Sequence, residues 1–405
     1  MEKSSISLFA APFLLALTGP LLAQDYVASQ PAVPAGFFET KAISGASRRT
    51  SEDEGGLELT VGLGTLYDSN VSQASGNGVE RIESDWVNTP NIEAAYLLGG
   101  GHWRLGTRVK AEHRFHQNRD DYDATNYSVS AFGGFQSKKF VASFSTSVGS
   151  KSGLNRNAAG FVERFSSQSG LLARYNFTRK TSLLATWDIN DQESRTRGYG
   201  DTSSMTTGLS GIWQATPLLS VGPGFRYGLR TGDDGEELTV VGPTLRLDYQ
   251  LSSKVKLRST LGIDSADSPY SGTDTLYNWS LALNYRASSL WGFDLEAIRD
   301  TRATLSSGGG FDEISSYRFN YWRKIRRSKV EIGLEYEDRS PTDSLVSVNG
   351  LRASQYLVLS TGVTFPVFQD NAELSLDLNW RDLSSSDRNS SWDGFRTGVG
   401  LQWNF

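Results

Sequence analysis

At the end of the chain Phe395, Thr397, Val399, Leu401, Trp403 and Phe405 alternate with Arg396, Gly398, Gly400, Gln402 and Asn404. Strict period-two alternation describes a strand with one apolar and one polar face. Segment 102–115 repeats it with charge. Trp103, Leu105, Thr107, Val109, Ala111, His113 and Phe115 take one face, while Arg104, Arg108, Lys110, Glu112 and Arg114 take the other. That many cations on one side of a strand are intolerable in a dry core without partners, and cost little against water. Leu374, Leu376, Leu378 and Trp380 against Glu373, Asp377, Asn379 and Arg381 show the same split. So do Val330, Ile332, Leu334 and Tyr336 against Lys329, Glu331, Glu335 and Glu337.

Which face is wet follows from what the chain lacks. Only 38% of the 405 residues are hydrophobic, yet there are 41 Gly and 11% aromatics. That is poor for one ordinary core, and fits strands with one apolar side and a watery interior. Beyond the first residues no apolar run approaches the ~20 that a spanning helix needs. Lipid offers no partner to open backbone groups, so a membrane role requires a closed barrel. The chain has no Cys, which excludes a lipoprotein anchor, disulfides and thiolate metal sites. Net charge is -5 and the basic residues are scattered, which argues against nucleic acid.

Residues 1–23 read as a cleaved secretory signal, with an apolar run from Ile6 to Leu17 and an exit at Pro20–Ala23. Residues 24–56, rich in Ala, Pro and Ser, read as a flexible periplasmic segment, with a small plug as the alternative. From 57 to 405 the alternation recurs about eighteen times, an even number as single-chain bacterial barrels require. The expected fold is all-β: an antiparallel up-and-down transmembrane barrel. Tight turns at Gly99–Gly101, Lys138-Lys139, Thr178–Lys180, Thr216-Pro217, Ser252-Ser253, Ser288-Ser289, Arg326-Arg327 and Gln369–Asn371 belong on the periplasmic side. Longer, polar loops such as 71–83, 151–161, 304–311 and 340–350 alternate with them and belong outside.

The final strand, with Phe395, Val399, Leu401, Trp403 and Phe405, resembles the C-terminal signal read by the barrel-assembly machinery of bacterial outer membranes. Tyr67-Asp68-Ser69-Asn70-Val71, after a glycine-rich first strand, resembles the β-barrel porin type 2 family. That resemblance implies an outer-membrane barrel linked to exopolysaccharide loci, with outer-membrane lipid and lipopolysaccharide around it and a polar solute or polysaccharide inside. It carries over no catalytic residue and no cofactor. Read from chemistry alone, Asp68 and Asn70 either bind a cation or cap a loop turn, and the turn role is favoured.

The expected activity is passage of a polar solute or glycan. The pore-lining set is Arg104, Arg108, Lys110, Glu112, Arg114, Arg226, Arg246, Lys256, Arg258, Arg286, Asp294, Glu296, Glu331 and Glu335. Cations crowd strands nine to twelve, opposed mainly by Asp248 and Asp264, and carboxylates crowd strands thirteen and fifteen. If these wall sectors stand apart, a transverse field crosses the lumen. If they pair locally, they fill it. A non-conducting scaffold of a secretion complex is the runner-up. A barrel hydrolase is the third reading, with His116 beside Asp120, Asp121 and Asp123 as its best cluster. His113 and His116 lie on opposite faces of a strand, so they do not share a metal. Asp233-Asp234-Gly235-Glu236-Glu237 is first a hairpin turn. A turn centred on Asp233 would set Pro223 opposite Pro243, with their missing N–H groups facing the outer neighbours.

Overall fold

The computed structural model describes residues 56–405, apart from 75–81, 156–159, 197–198, 233–236, 269–271, 304–310, 342–352, 369–370 and 387–390. The expected signal segment, residues 24–55 of the expected tail and the Asp233–Glu236 turn lie outside the described residues, while Gly56 already belongs to the first strand. The strands are β1 (Gly56–Asp68), β2 (Asp85–Gly100), β3 (Trp103–His116), β4 (Ala124–Gln136), β5 (Phe140–Asn155) and β6 (Gly160–Asn176). They continue with β7 (Thr181–Ser194), β8 (Thr202–Gln214), β9 (Leu219–Thr231), β10 (Glu237–Gln250), β11 (Val255–Ser268) and β12 (Gly272–Arg286). The last are β13 (Trp291–Ala303), β14 (Phe311–Ile325), β15 (Ser328–Pro341), β16 (Ser354–Val367), β17 (Ala372–Ser385) and β18 (Trp392–Asn404).

Each strand pairs antiparallel with the next, and β18 returns to pair with β1, from Thr60–Asn404 to Asp68–Arg396. The Thr60 hydroxyl donates to the Asn404 side chain at 3.0 Å, and the Phe405 N–H donates to the Leu59 carbonyl at 2.9 Å. Closure removes both sheet edges, which is what lipid demands.

The outside is apolar. Leu63, Ile92, Val109, Leu209, Phe225, Leu261, Ile332 and Val399 are all exposed, and their sequence neighbours turn inward. Aromatic contacts bound this belt. At the short-turn end sit Tyr285–Trp291, Tyr175–Phe177 and Phe368–Trp403–Phe405. At the other end sit Tyr67–Trp86, Tyr67–Phe395 and Tyr317–Tyr336. An apolar belt between two aromatic girdles on a closed, even-stranded barrel is outer-membrane architecture. The chain is an integral outer-membrane barrel.

Two details differ from the sequence reading. Residues 151–155 and 160–161 are strand where a long loop was expected, because β5 and β6 keep pairing with each other out to Asn155–Gly160. The short–long alternation is correspondingly looser, and β11 and β12 are joined by three residues, 269–271. The prolines also miss each other. Pro223 faces Leu245 and Pro243 faces Phe225, since the hairpin pairs Thr231 with Glu237 and its centre falls one residue later than Asp233. The effect of each missing donor is as expected. The β8–β9 ladder skips from Ser210–Gly224 to Trp213–Val221, and the β10–β11 ladder from Val241–Ser265 to Thr244–Gly262.

Candidate functional site

The inward residues of eighteen strands line one lumen. On β3, Arg108 pairs with Glu93 at 3.0 Å, while Lys110 and Arg114 share Glu112 at 3.3 and 3.5 Å. Arg104 is exposed near the short-turn end. Further round, Asp248 takes Arg246 at 2.9 Å and Arg258 at 3.9 Å, and Asp294 takes Arg286 at 3.0 Å. Arg318, absent from the expected set, joins Glu296 at 3.4 Å to Glu335 at 3.6 Å. Lys329 holds Glu331 at 2.7 Å. Lys256, on β11, lies in register with Gln250 and Asn284. The cationic and acidic sectors expected to stand apart are therefore stitched together. Some carboxylates reach cations two residues along their own strand, and others reach across a ladder, where inward neighbours sit only ~5 Å apart.

One group of pairs spans more than a ladder. Arg226 of β9 contacts Asp264 of β11 and, at 3.5 Å, Asp300 of β13; Arg230 reaches the same Asp300 at 3.0 Å. Asn278 of β12 donates to Asp264 at 2.8 Å. Strands β9 and β13 are four ladders apart, about 19 Å along the wall at ~4.8 Å per ladder. Yet Cα atoms of β13 come within 8 Å of both β8 and β9.

The reason is a break in the wall. The β12–β13 ladder stops at Trp279–Arg299, although β12 begins at Gly272 and β13 runs to Ala303. Beyond that point β13 pairs only with β14, and the two turn inward together. Phe311 shares its register with Tyr317, which is 43% exposed, yet Phe311 is 1% exposed. It packs against Leu238, Val240, Ala266 and Leu276, the inward residues of β10–β12. The outward face of the β13–β14 end thus lies on the inner face of its neighbours.

The β5–β6 end does the same on a smaller scale. The β4–β5 ladder stops at Tyr127–Ser150. Ser150 at that last pair and Ser152 beyond it, in register with exposed Val148, are buried. The Ser152 N–H donates to inward-facing Asn126 at 2.6 Å, and Phe161 stacks on Tyr122 at 5.8 Å. A cavity of about 50 Å³ remains there, lined among others by Arg114, Lys151, Arg164 and Arg396.

The Tyr67–Val71 motif closes the seam. Asp68, 1% exposed, receives Arg396 at 2.6 Å and Arg381 at 2.9 Å. Asn70 caps the following turn, accepting the Ala74 N–H at 3.1 Å and donating to the Ala74 and Asp393 carbonyls. Ser69 accepts the Phe395 N–H at 2.8 Å, Val71 is buried, and the Tyr67 ring lies 5.8 Å from Phe395. The turn role holds for both, since Asp68 accepts the Asn70 N–H at 3.1 Å while its carboxylate also takes two guanidinium groups.

His113 bonds Thr125 at 2.7 Å, and His116 bonds Asp123 at 3.3 Å beneath Tyr122. Asp121 is instead tied to Arg119 at 2.8 Å, and that hydrogen bond holds its carboxyl below the usual range. The acidic loop is thus organised structurally. Among the described residues no cluster of three His, Asp or Glu could hold a metal.

No family model matches the sequence, and no curated protein matches it. The fold is similar to solved barrels. One is OpdK of Pseudomonas aeruginosa with vanillate, at 10% identity and TM-score 0.45, covering 86% of this chain and 99% of that one. Another is OccAB3 of Acinetobacter baumannii, at 11% and 0.44, covering 87% and 99%. A third is the FrpB iron transporter of Neisseria meningitidis, at 10% and 0.46, covering 87% and 82%.

Proposed function

We propose that the protein is a passive outer-membrane channel for polar solutes. The observation that carries this is the inner wall, lined mainly with ion pairs and hydroxyl groups, with the exposed apolar side chains outside and the Phe311 socket as an apolar exception. A wall of that kind is stable when wet, and barrels of this strand number generally enclose an aqueous path. Nothing in the proposal needs a cofactor, and the Asp–His pair of the β3–β4 loop is a loop fastener rather than a catalyst.

Export of a glycan is the finer reading. It rests on the resemblance at Tyr67–Val71, whose side chains serve the seam and its adjoining turn. A scaffold without transport is favoured by a different observation, the two hairpin ends folded into the lumen.

Planar-bilayer recording tests these readings. Purified protein should give discrete conductance steps. Replacing Arg104 and Arg108 by Glu should move the reversal potential in a salt gradient toward that of the cation. An unchanged potential would place β3 off the ion path. Absence of steps in every preparation would favour the scaffold.

A further inference from the structure

The channel reading says that solutes pass; the folded wall indicates where they are selected. We infer that the outer ends of β13 and β14, residues 300–303 and 311–316, form the selectivity constriction of the lumen, a piece of barrel wall laid across the path and pinned there. This rests on the channel reading.

Three independent features support it. The ladder that would hold β13 in the wall ends at Trp279–Arg299, so the segment beyond is free of β12. An aromatic of outward register, Phe311, fills an apolar socket made by Leu238, Val240, Ala266 and Leu276, each nearly inaccessible. On its other side the segment offers Asp300 to Arg226 and Arg230. A merely flattened barrel explains the approach of β13 to β9. It does not explain Phe311, because flattening keeps outward residues outside. Only a strand end lying inside the wall can place an outward residue on inward ones.

The consequence is specific. Behind the strand ends the space toward β10–β12 is filled by apolar side chains, and the Arg226, Arg230 and Asp300 pairs close the gap to β9, so solutes must pass on the side of the lumen that remains. The seam sets two arginines against Asp264 and Asp300, so its charge balances, and Arg230 and Asp264 are buried in it. The narrowed path suits small polar molecules over polymers, and the folded strand ends set the size limit.

The chain contains no native Cys, which makes thiol chemistry a clean test. Val240→Cys alone should resist a membrane-impermeant maleimide in intact barrels, while Thr273→Cys reacts. Adding Phe311→Ser and Asp300→Asn should expose the thiol at position 240 and raise single-channel conductance at least twofold, with larger polyethylene glycols now entering. In the double variant Val240→Cys with Phe311→Cys, oxidation should hold conductance at the parental level. Exposure of the thiol at position 240 without any change in conductance would overturn the constriction while leaving the channel. Prompt labelling of the Val240→Cys single variant would overturn the docked hairpin itself. Silence in both parental and released barrels would overturn the channel reading and this inference together, whereas conduction appearing only on release would support a hairpin that closes the path.

Discussion

Asp68 shows how much one side chain can hold. It sits on the first strand, and its two guanidinium partners lie 313 and 328 residues away in sequence, on β17 and β18. Arg381 is 3% exposed and also lies over Trp392, 5.2 Å from the ring centroid. Removing one charge from a buried pair strands the other, at a typical cost of about 3–5 kcal/mol. Asp68→Asn keeps the shape and deletes the charge, so it should lower the stability of the folded barrel in lipid, read from urea titration, by that amount. A loss under about 1 kcal/mol would show that water relieves the stranded arginines. The sequence marked Asp68 and Asn70 as a pair with a turn role. It could not mark Arg381 and Arg396 as the partners, because nothing local encodes a contact across the closing seam.

At the scale of strands the sequence was most legible. Period two set the faces and the turn residues set the boundaries, since both are properties of a few consecutive residues. The ladder breaks were legible only where a proline causes them, as at Pro223 and Pro243. Pro90 on β2 obeys the same rule, with the β2–β3 pairing missing between Asn88–Phe115 and Asn91–Glu112. The break at Trp279–Arg299 has no proline and left no local signal, so the sequence, which placed 304–311 in an external loop, carried no sign of where Phe311 packs. Its true surroundings come from three other strands. Gly242 offers a sharp check on the proline-linked distortion. A Cβ there would lie 1.9 Å from the Ile263 carbonyl oxygen and 2.7 Å from the Asp264 carboxylate. Gly242→Ala should therefore push β11 away, cost roughly 1–3 kcal/mol as overpacking does, and disturb the Asp264–Arg226 contact. Gly211→Ala, with open space around its Cβ, is the control and should be near neutral.

For the whole ring, the ladders predict an uneven pattern of amide protection. The outer half of β12 is bonded to β11 along its length but has lost β13, and Thr275 satisfies its N–H on the neighbouring Asp274 carboxylate at 2.7 Å. Amides on that edge from Gly272 to Asn278 should exchange roughly tenfold or more faster than those of β17, which is paired on both sides, since opening there breaks fewer bonds. Equal protection around the barrel would mean that the breach is closed in the membrane. The closing joint has a kinetic meaning as well. Every other joint in the ring links strands adjacent in the chain, and forming each closes only a short loop. The β1–β18 joint must bring together Thr60 and Asn404, 344 residues apart. The largest single loop-closure cost of assembly thus falls on one late step. Until that step, a sheet of eighteen strands carries two bare edges and a greasy face, the kind of surface that sticks to its own copies. The time spent waiting for the ring to shut, more than the final stability of the ring, would then govern how much of this chain reaches the membrane intact.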